Sequence, residues 1–214
     1  MASKVKICGL TTEAALEAAL AGGADYVGLV FFPPSPRNIA PAAAAKLAAK
    51  ARGRARIVAL MVDPDDALID AVVAAAAPDL IQLHGAETPG RVGEIRRRWG
   101  TPVMKAIKVE TAQDAEAALG YQGTADLILF DARPPADATR PGGNGAPFDW
   151  QALLGVKDRV PYMLSGGLTP DNVADAIRVT GAAIVDVSSG VEARPGVKDP
   201  DLIRRFLQAA KGAA

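Results

Sequence analysis

A single-domain (β/α)8 barrel spanning residues 1–214, the α/β fold also called a TIM barrel, is the architecture this sequence predicts, on three observations. Short β-branched or aliphatic runs alternate with Ala-rich segments of helical period. The alternation repeats eight times at even spacing, and no linker, low-complexity tract or charge block interrupts it. An open doubly wound sheet uses the same units, but eight evenly spaced ones with no long insertion favour closure.

The strands are predicted over residues 5–8, 26–31, 57–62, 80–83, 103–108, 127–131, 162–165 and 184–187. The first places Val5 and Ile7 on one face and Lys6 and Cys8 on the other, because side chains alternate along a strand. The fourth opposes Ile81 and Leu83 to Gln82 and His84; the sixth opposes Ile128 and Phe130 to Leu127, Leu129 and Asp131; the eighth opposes Val185 and Val187 to Ile184, Asp186 and Ser188. The all-aliphatic faces suit packing on helices, which leaves the mixed faces to line the lumen. Helices are predicted over residues 12–21, 41–51, 65–76, 87–98, 111–118, a short piece near 150–154, 171–179 and 200–211. Thr12 is a plausible N-cap for the first, and Thr169-Pro170 sets Pro at the start of the seventh. One long loop remains, residues 132–147, rich in Pro, Gly, Asp and Asn; loops of that length in a compact domain are usually functional or mobile.

Composition narrows the partners. Lys plus Arg and Asp plus Glu each total 24, so the formal net charge is zero and there is no footprint for nucleic acid or an anionic membrane. A small phosphorylated ligand stays open, since it needs only a local cluster of donors. The chain has one cysteine, hence no internal disulfide, and its N-terminal segment lacks the apolar run of a secretory signal. No stretch approaches the roughly 18 apolar residues of a membrane span. A cytoplasmic protein, monomer or homodimer, is the expectation.

In barrels of this kind the active site lies at the C-terminal ends of the strands, and Cys8, His84, Asp131, Asp186 and Ser188 all fall there. After strand 7 comes Ser165-Gly166-Gly167-Leu168, and after strand 8 comes Ser188-Ser189-Gly190. Loops in these two positions commonly cradle phosphate, because glycine admits close approach of backbone N–H groups to an anion. A phosphate on Gly166, Gly167, Ser188, Ser189 and Gly190 is therefore expected.

Several ordered motifs make the sequence specific: Lys6-Ile7-Cys8-Gly9-Leu10-Thr11, Gly23-Ala24-Asp25-Tyr26-Val27-Gly28, Ser35-Pro36-Arg37, Gln82-Leu83-His84-Gly85, Leu129-Phe130-Asp131, Ser165-Gly166-Gly167-Leu168-Thr169-Pro170, Val185-Asp186-Val187-Ser188-Ser189-Gly190-Val191-Glu192 and Pro195-Gly196-Val197-Lys198-Asp199. Together they resemble the phosphoribosylanthranilate isomerase family of tryptophan biosynthesis, essentially from residue 4 to residue 211. The sequence departs at Gly142-Gly143-Asn144-Gly145, where the family more often has Thr or Ser third.

The resemblance implies an Amadori rearrangement of N-(5-phosphoribosyl)anthranilate to the 1-deoxyribulose 5-phosphate aminoketose. It also implies that Asp131 is the acid that opens the furanose and Cys8 the base that takes the C2 proton. It implies Arg37 against the anthranilate carboxylate, a task suited to a planar guanidinium. It implies no metal and no cofactor, since the substrate's own iminium is the electron sink. Asp186 is expected either to accept from a ribose hydroxyl or to pair with an interior lysine, Lys6 or Lys105. A thiol with an ordinary pKa of about 8.5 and a carboxyl of about 4 must both shift toward neutrality for these roles, and Lys6 is the cation expected to lower the thiol. His84 is expected to be a satisfied polar group behind the site and not a catalyst, and Glu192 and Asp199 helix-end or surface residues.

Two other readings stand beside this one. The histidine-pathway aminoaldose isomerases carry aspartate where this chain has Cys8, and the loop Asp63-Pro64-Asp65-Asp66 is hostile to a second phosphate. A non-catalytic phosphate-binding barrel has no need of Cys8 or Asp131. Metal-dependent epimerases on the same fold need several His ligands, and this chain has one histidine.

Overall fold

In the computed structural model, residues 2–133 and 148–213 are described. Eight parallel strands close into a barrel in sequence order, the first hydrogen-bonded to the eighth. The strands are β1 (Lys4–Cys8), β2 (Tyr26–Phe31), β3 (Arg56–Met61), β4 (Leu80–Leu83), β5 (Val103–Val109), β6 (Leu127–Ala132), β7 (Tyr162–Leu164) and β8 (Ile184–Val187). Every predicted strand is present within a residue or two. Most of the loop singled out in the sequence, including Gly142-Gly143-Asn144-Gly145, lies outside the described residues.

Seven α-helices are present among the described residues: α1 (Glu13–Ala21), α2 (Pro41–Ala51), α3 (Asp66–Ala76), α4 (Pro89–Trp99), α5 (Ala112–Glu116), α6 (Val173–Thr180) and α7 (Pro200–Lys211). Their starts follow capping chemistry. Thr12, Asp65 and Thr88 each accept a backbone N–H three residues on, and Thr111 with Asp114 forms a full capping box. The predicted sixth helix is only a 3-10 turn, Trp150–Leu153. The seventh begins later than expected, because Asn172 folds back to accept from Thr169 N and donate to Gly167 O; Pro170 thus sits in a turn, not in the helix. A hairpin the sequence reading did not foresee follows β8: β9 (Glu192–Arg194) pairs with β10 (Val197–Lys198) across Pro195-Gly196. No described helix is long and apolar enough to cross a membrane.

The two faces of the strands separate as alternation requires. Val5, Ile7, Ile81, Leu83, Ile128, Phe130, Val185 and Val187 join the large core between sheet and helices. Tyr26, Val58, Leu80, Met104, Ala106, Leu129 and Met163 form a second, inner cluster that plugs the lumen. Above this plug the inner face turns polar. Lys6 is fully buried there, in register with Asp186 across the β1–β8 seam, and its Nζ donates to Asp186 Oδ1 at 2.8 Å.

Removing one partner of such a pair strands the other charge in a low dielectric. Lys6→Met is therefore expected to cost about 3–5 kcal/mol in denaturant unfolding, and pairing it with Asp186→Leu to recover most of that loss. Equal stabilities of the single and double variants would contradict this.

Candidate functional site

β1 ends in Cys8, which is buried and faces inward beside Lys6. Gly28 lies opposite it in register on β2, and a Cβ there would stand 2.9 Å from Cys8 Sγ, so glycine is what admits the thiol to the lumen. Burial pushes the Cys8 thiol up; Lys6 opposes this and Asp186 reinforces it, and the net direction is upward. The expectation that Lys6 brings the thiol toward neutrality is thus corrected: the net shift is upward. Burial works against the Lys6 ammonium too, but Asp186 and Cys8 outweigh it and hold its pKa above the usual lysine range. The cation is firmly charged, yet a dry pocket and an adjacent carboxylate outweigh its pull on the sulfur.

Asp186 pairs with the interior lysine that the alternative reading named, Lys6. Its second oxygen, Oδ2, accepts from Ser165 Oγ at 3.1 Å. Lys105 points the other way, toward the helices, where its Nζ donates to Gly85 O and Glu87 Oε2.

β6 carries Asp131, also buried, and its partner is the residue the sequence reading set aside. His84 Nε2 lies 3.2 Å from Asp131 Oδ2, and His84 Nδ1 lies 3.0 Å from Gln82 Nε2. The single histidine is therefore in direct contact with the proposed acid. Its place in Gln82-Leu83-His84, on the inner face with Gln82 two residues before it, was the available signal.

The loops after β7 and β8 meet as a phosphate cradle requires. Gly166 and Gly167 take φ of +90° and +63°, a region closed to most side chains. Gly190, in the 3-10 turn Ser189–Val191, packs so closely that a Cβ would fall 1.9 Å from Leu168 O. Ser188 is drawn away from the cradle: its hydroxyl donates to Cys8 O at 3.2 Å and receives Lys198 Nζ at the same distance.

Arg37, on the β2–α2 connection, is 4% exposed. Its Nε and Nη2 donate to the two oxygens of Glu192 at 2.7 and 2.8 Å. Glu192 also accepts from Lys198 Nζ at 2.7 Å. This corrects the reading of Glu192 as a helix-end or surface residue. Burial pushes its carboxyl up, but hydrogen bonds from Arg37 and the charge of Lys198 prevail and hold it below the usual range. Burial in turn takes the Lys198 ammonium below the usual lysine range against the pull of Glu192. Both residues sit on the unforeseen hairpin, whose Pro-Gly turn was its one mark in the sequence. Asp199 is a helix-end residue as read, accepting from Asp201 N and Leu202 N at the start of α7.

A family model described as N-(5'-phosphoribosyl)anthranilate (PRA) isomerase matches residues 5–209. Among curated relatives, the N-(5'-phosphoribosyl)anthranilate isomerase of Paramagnetospirillum magneticum is 57% identical over 212 residues, 99% of each chain. That of Rhodopseudomonas palustris is 58% identical over 207 residues, 97% of this chain and 95% of its own. Of solved structures, phosphoribosyl anthranilate isomerase from Thermotoga maritima superposes with a TM-score of 0.89 at 39% identity, covering 98% of this chain and 99% of that one. A second, in complex with reduced 1-(o-carboxyphenylamino)-1-deoxyribulose 5-phosphate, has a TM-score of 0.86 at 37% identity over the same shares.

The chain's lone cysteine makes the electrostatics of its pocket measurable. The ultraviolet absorbance of the Cys8 thiolate is expected to appear only above the ordinary cysteine value of about 8.5. Asp186→Asn removes a carboxylate that raises the thiol and releases Lys6 toward the sulfur, so it should move the midpoint down. A midpoint below the ordinary value in the unsubstituted protein would contradict this account.

Proposed function

The chain belongs to the N-(5'-phosphoribosyl)anthranilate isomerase family, and from that premise we propose that Asp131 and Cys8 are its acid and base. The reaction is the isomerisation of N-(5'-phosphoribosyl)anthranilate to 1-(2-carboxyphenylamino)-1-deoxyribulose 5-phosphate in tryptophan biosynthesis. The observation that carries the residue assignment is that two buried, ionisable side chains, Cys8 and Asp131, face the lumen at its C-terminal mouth from different strands.

Asp131 gives a proton to the furanose oxygen as the C1–O bond breaks, and the anilino nitrogen's lone pair closes the iminium. Cys8 then takes the C2 proton, and the C–H electrons neutralise the iminium to give the enolamine. Return of a proton to C1 and loss of the C2 hydroxyl proton deliver the ketone, so the protons balance. Lys6 beside Cys8 stabilises the thiolate form, and because burial leaves that form scarce, the base is strong when present.

The phosphate is assigned to Gly166, Gly167, Ser189 and Gly190, with Ser188 at the edge of the cradle. The solved relative bound to a reduced carboxyphenylamino-deoxyribulose phosphate supports a ligand of this chemistry. Arg37 is assigned to the anthranilate carboxylate; Glu192 fixes the plane in which its guanidinium is presented. Asp186 reaches a ribose hydroxyl only while also holding Lys6 and Ser165. We place the protein in the cytoplasm as a monomer or homodimer; the Thermotoga maritima relative is described as dimeric.

Turnover is followed by loss of anthranilate-type fluorescence from freshly generated substrate, without added metal or cofactor. Cys8→Ala and Asp131→Asn are each expected to lose roughly 10²–10⁴ in kcat, the usual worth of a positioned acid or base. Glu192→Gln, acting through Arg37, should raise KM about tenfold with a smaller effect on kcat, as loss of one charge-assisted hydrogen bond would. Near-normal kcat in a folded Cys8→Ala or Asp131→Asn protein would remove that residue from the mechanism.

A further inference from the structure

We infer that Lys198, standing behind Arg37, supplies the net positive charge of the carboxylate subsite and so makes this chain select a substrate with an anionic ring substituent. This rests on the reading of Arg37 as the partner of the anthranilate carboxylate. Charge balance carries it. Glu192 grips Arg37 along one edge, through Nε at 2.7 Å and Nη2 at 2.8 Å. The grip holds the guanidinium still, but it also cancels the charge, and a neutral pair draws an anion weakly. Lys198 Nζ, 2.7 Å from the same Glu192 Oε1, restores what the grip cancels. Among the described residues this cluster holds two cations and one anion, so a carboxylate arriving at Arg37 brings it to neutrality. Without Lys198 the same arrival would leave an uncompensated negative charge in a buried place. Glu192 thus sets the direction of the guanidinium, and Lys198 the sign of the subsite.

The surroundings of Lys198 Nζ fit the ammonium form. It faces three acceptors: Glu192 Oε1, Ser188 O at 2.8 Å and Ser188 Oγ at 3.2 Å. The Ser188 hydroxyl spends its own hydrogen on Cys8 O, so toward Nζ it can only accept. Three acceptors take the three hydrogens of an ammonium; an amine has two. Glu192 opposes the burial that lowers the lysine's pKa.

The side chains of Arg37, Glu192 and Lys198 are 5%, 4% and 1% exposed, so water and salt screen their charges little. Their spacing is also fixed. A Cβ on Gly196, in the hairpin turn, would stand 2.6 Å from Pro36 O, and one on Gly9 would stand 2.6 Å from Arg37 Cδ. Hairpin, arginine stem and the end of β1 are therefore packed without slack. Lys6 and Asp186, the other buried charges near the end of β1, cancel as a pair.

Titration calorimetry with two non-reacting ligands tests the inference. One is the reduced carboxyphenylamino-deoxyribulose phosphate found in the solved relative; the other is its carboxamide counterpart, built from anthranilamide. The two have nearly the same shape and differ by one charge. The unsubstituted protein should bind the carboxylate at least about tenfold more tightly, a factor within reach of one unit charge at intermediate dielectric. Lys198→Met keeps the stem and removes the charge; it should lose most of that preference through weaker carboxylate binding, with the carboxamide unchanged. Should that variant not fold, Lys198→Gln retains N–H donors without the charge and should show the same loss. A preference unchanged in either folded variant would overturn the inference. So would equal weakening of both ligands, the result of a loosened hairpin or a disturbed phosphate cradle. A wild type that binds the two ligands equally would overturn it with no variant needed. Arg37→Met separates the two readings. If it abolishes the preference where Lys198→Met does not, the Arg37 assignment stands and only the lysine's role falls. If it leaves the preference intact, the Arg37 assignment falls and the inference with it.

Discussion

The ion pair between Lys6 and Asp186 is the constraint on which the mouth of this barrel depends. It spans the one place where the sheet must close on itself, between β1 and β8, in a layer where neither charge has water to fall back on. With Asp186 fixed by Lys6 on one oxygen and by Ser165 on the other, strands 1, 7 and 8 are tied at a common height. The same pair sets the chemistry one residue above it. Lys6 would make Cys8 a thiolate if it stood alone beside it; with Asp186 adjacent and the pocket dry, the sulfur keeps its proton until the reaction needs a base. A seam that holds the fold together thereby also sets the resting state of the thiol assigned as the base.

A second network ties Arg37, assigned to the anthranilate carboxylate, to the same strand. Arg37 is gripped by Glu192, Glu192 by Lys198, Lys198 by Ser188, and the Ser188 hydroxyl reaches the carbonyl of Cys8. The links are hydrogen bonds of 2.7 to 3.2 Å and are at least partly buried, so a displacement of the β9–β10 hairpin would be felt both at the guanidinium and at the end of β1. Charged groups this deep are destabilising unless paired on every side, which is why they occur as a chain and not as isolated bonds.

The sequence made the barrel legible because its period-2 alternation survives in short strands: Val5 and Ile7 against Lys6 and Cys8 already state which way β1 faces. Cys8, Asp131 and the two glycine loops were legible for the same reason, since strand position fixes the mouth of a barrel. Glu192 and Lys198 were not. Their importance comes from a two-strand hairpin too short to show a period, and from a partner, Arg37, 155 residues away in the chain. His84 is a satisfied polar group, as the alternation suggests, but which partner satisfies it was not legible: its contact with Asp131 depends on the closure geometry that brings β4 and β6 within reach across β5. The start of α6 was misplaced because an Asn side chain, here Asn172, can build a turn where Pro also permits a helix.

These cases share a physical pattern. The groups assigned to react with or hold the substrate sit on the strand ends and loops at the mouth, and each is oriented by a residue from a different strand or loop: Cys8 by Lys6 and by the close approach of Gly28, Asp131 by His84, Arg37 by Glu192. An isomerisation that returns every proton it takes needs no external acid, base or electron carrier, but it does need each group to recover its starting state at the end of the cycle. Partners that are themselves buried and hydrogen-bonded serve that end, because a lumen filled by Met104, Leu129 and Met163 leaves few competing solvent protons below the site. The apolar plug and the polar ring above it are thus parts of one arrangement: the plug makes stray charge costly, and that cost keeps each proton on the group assigned to it.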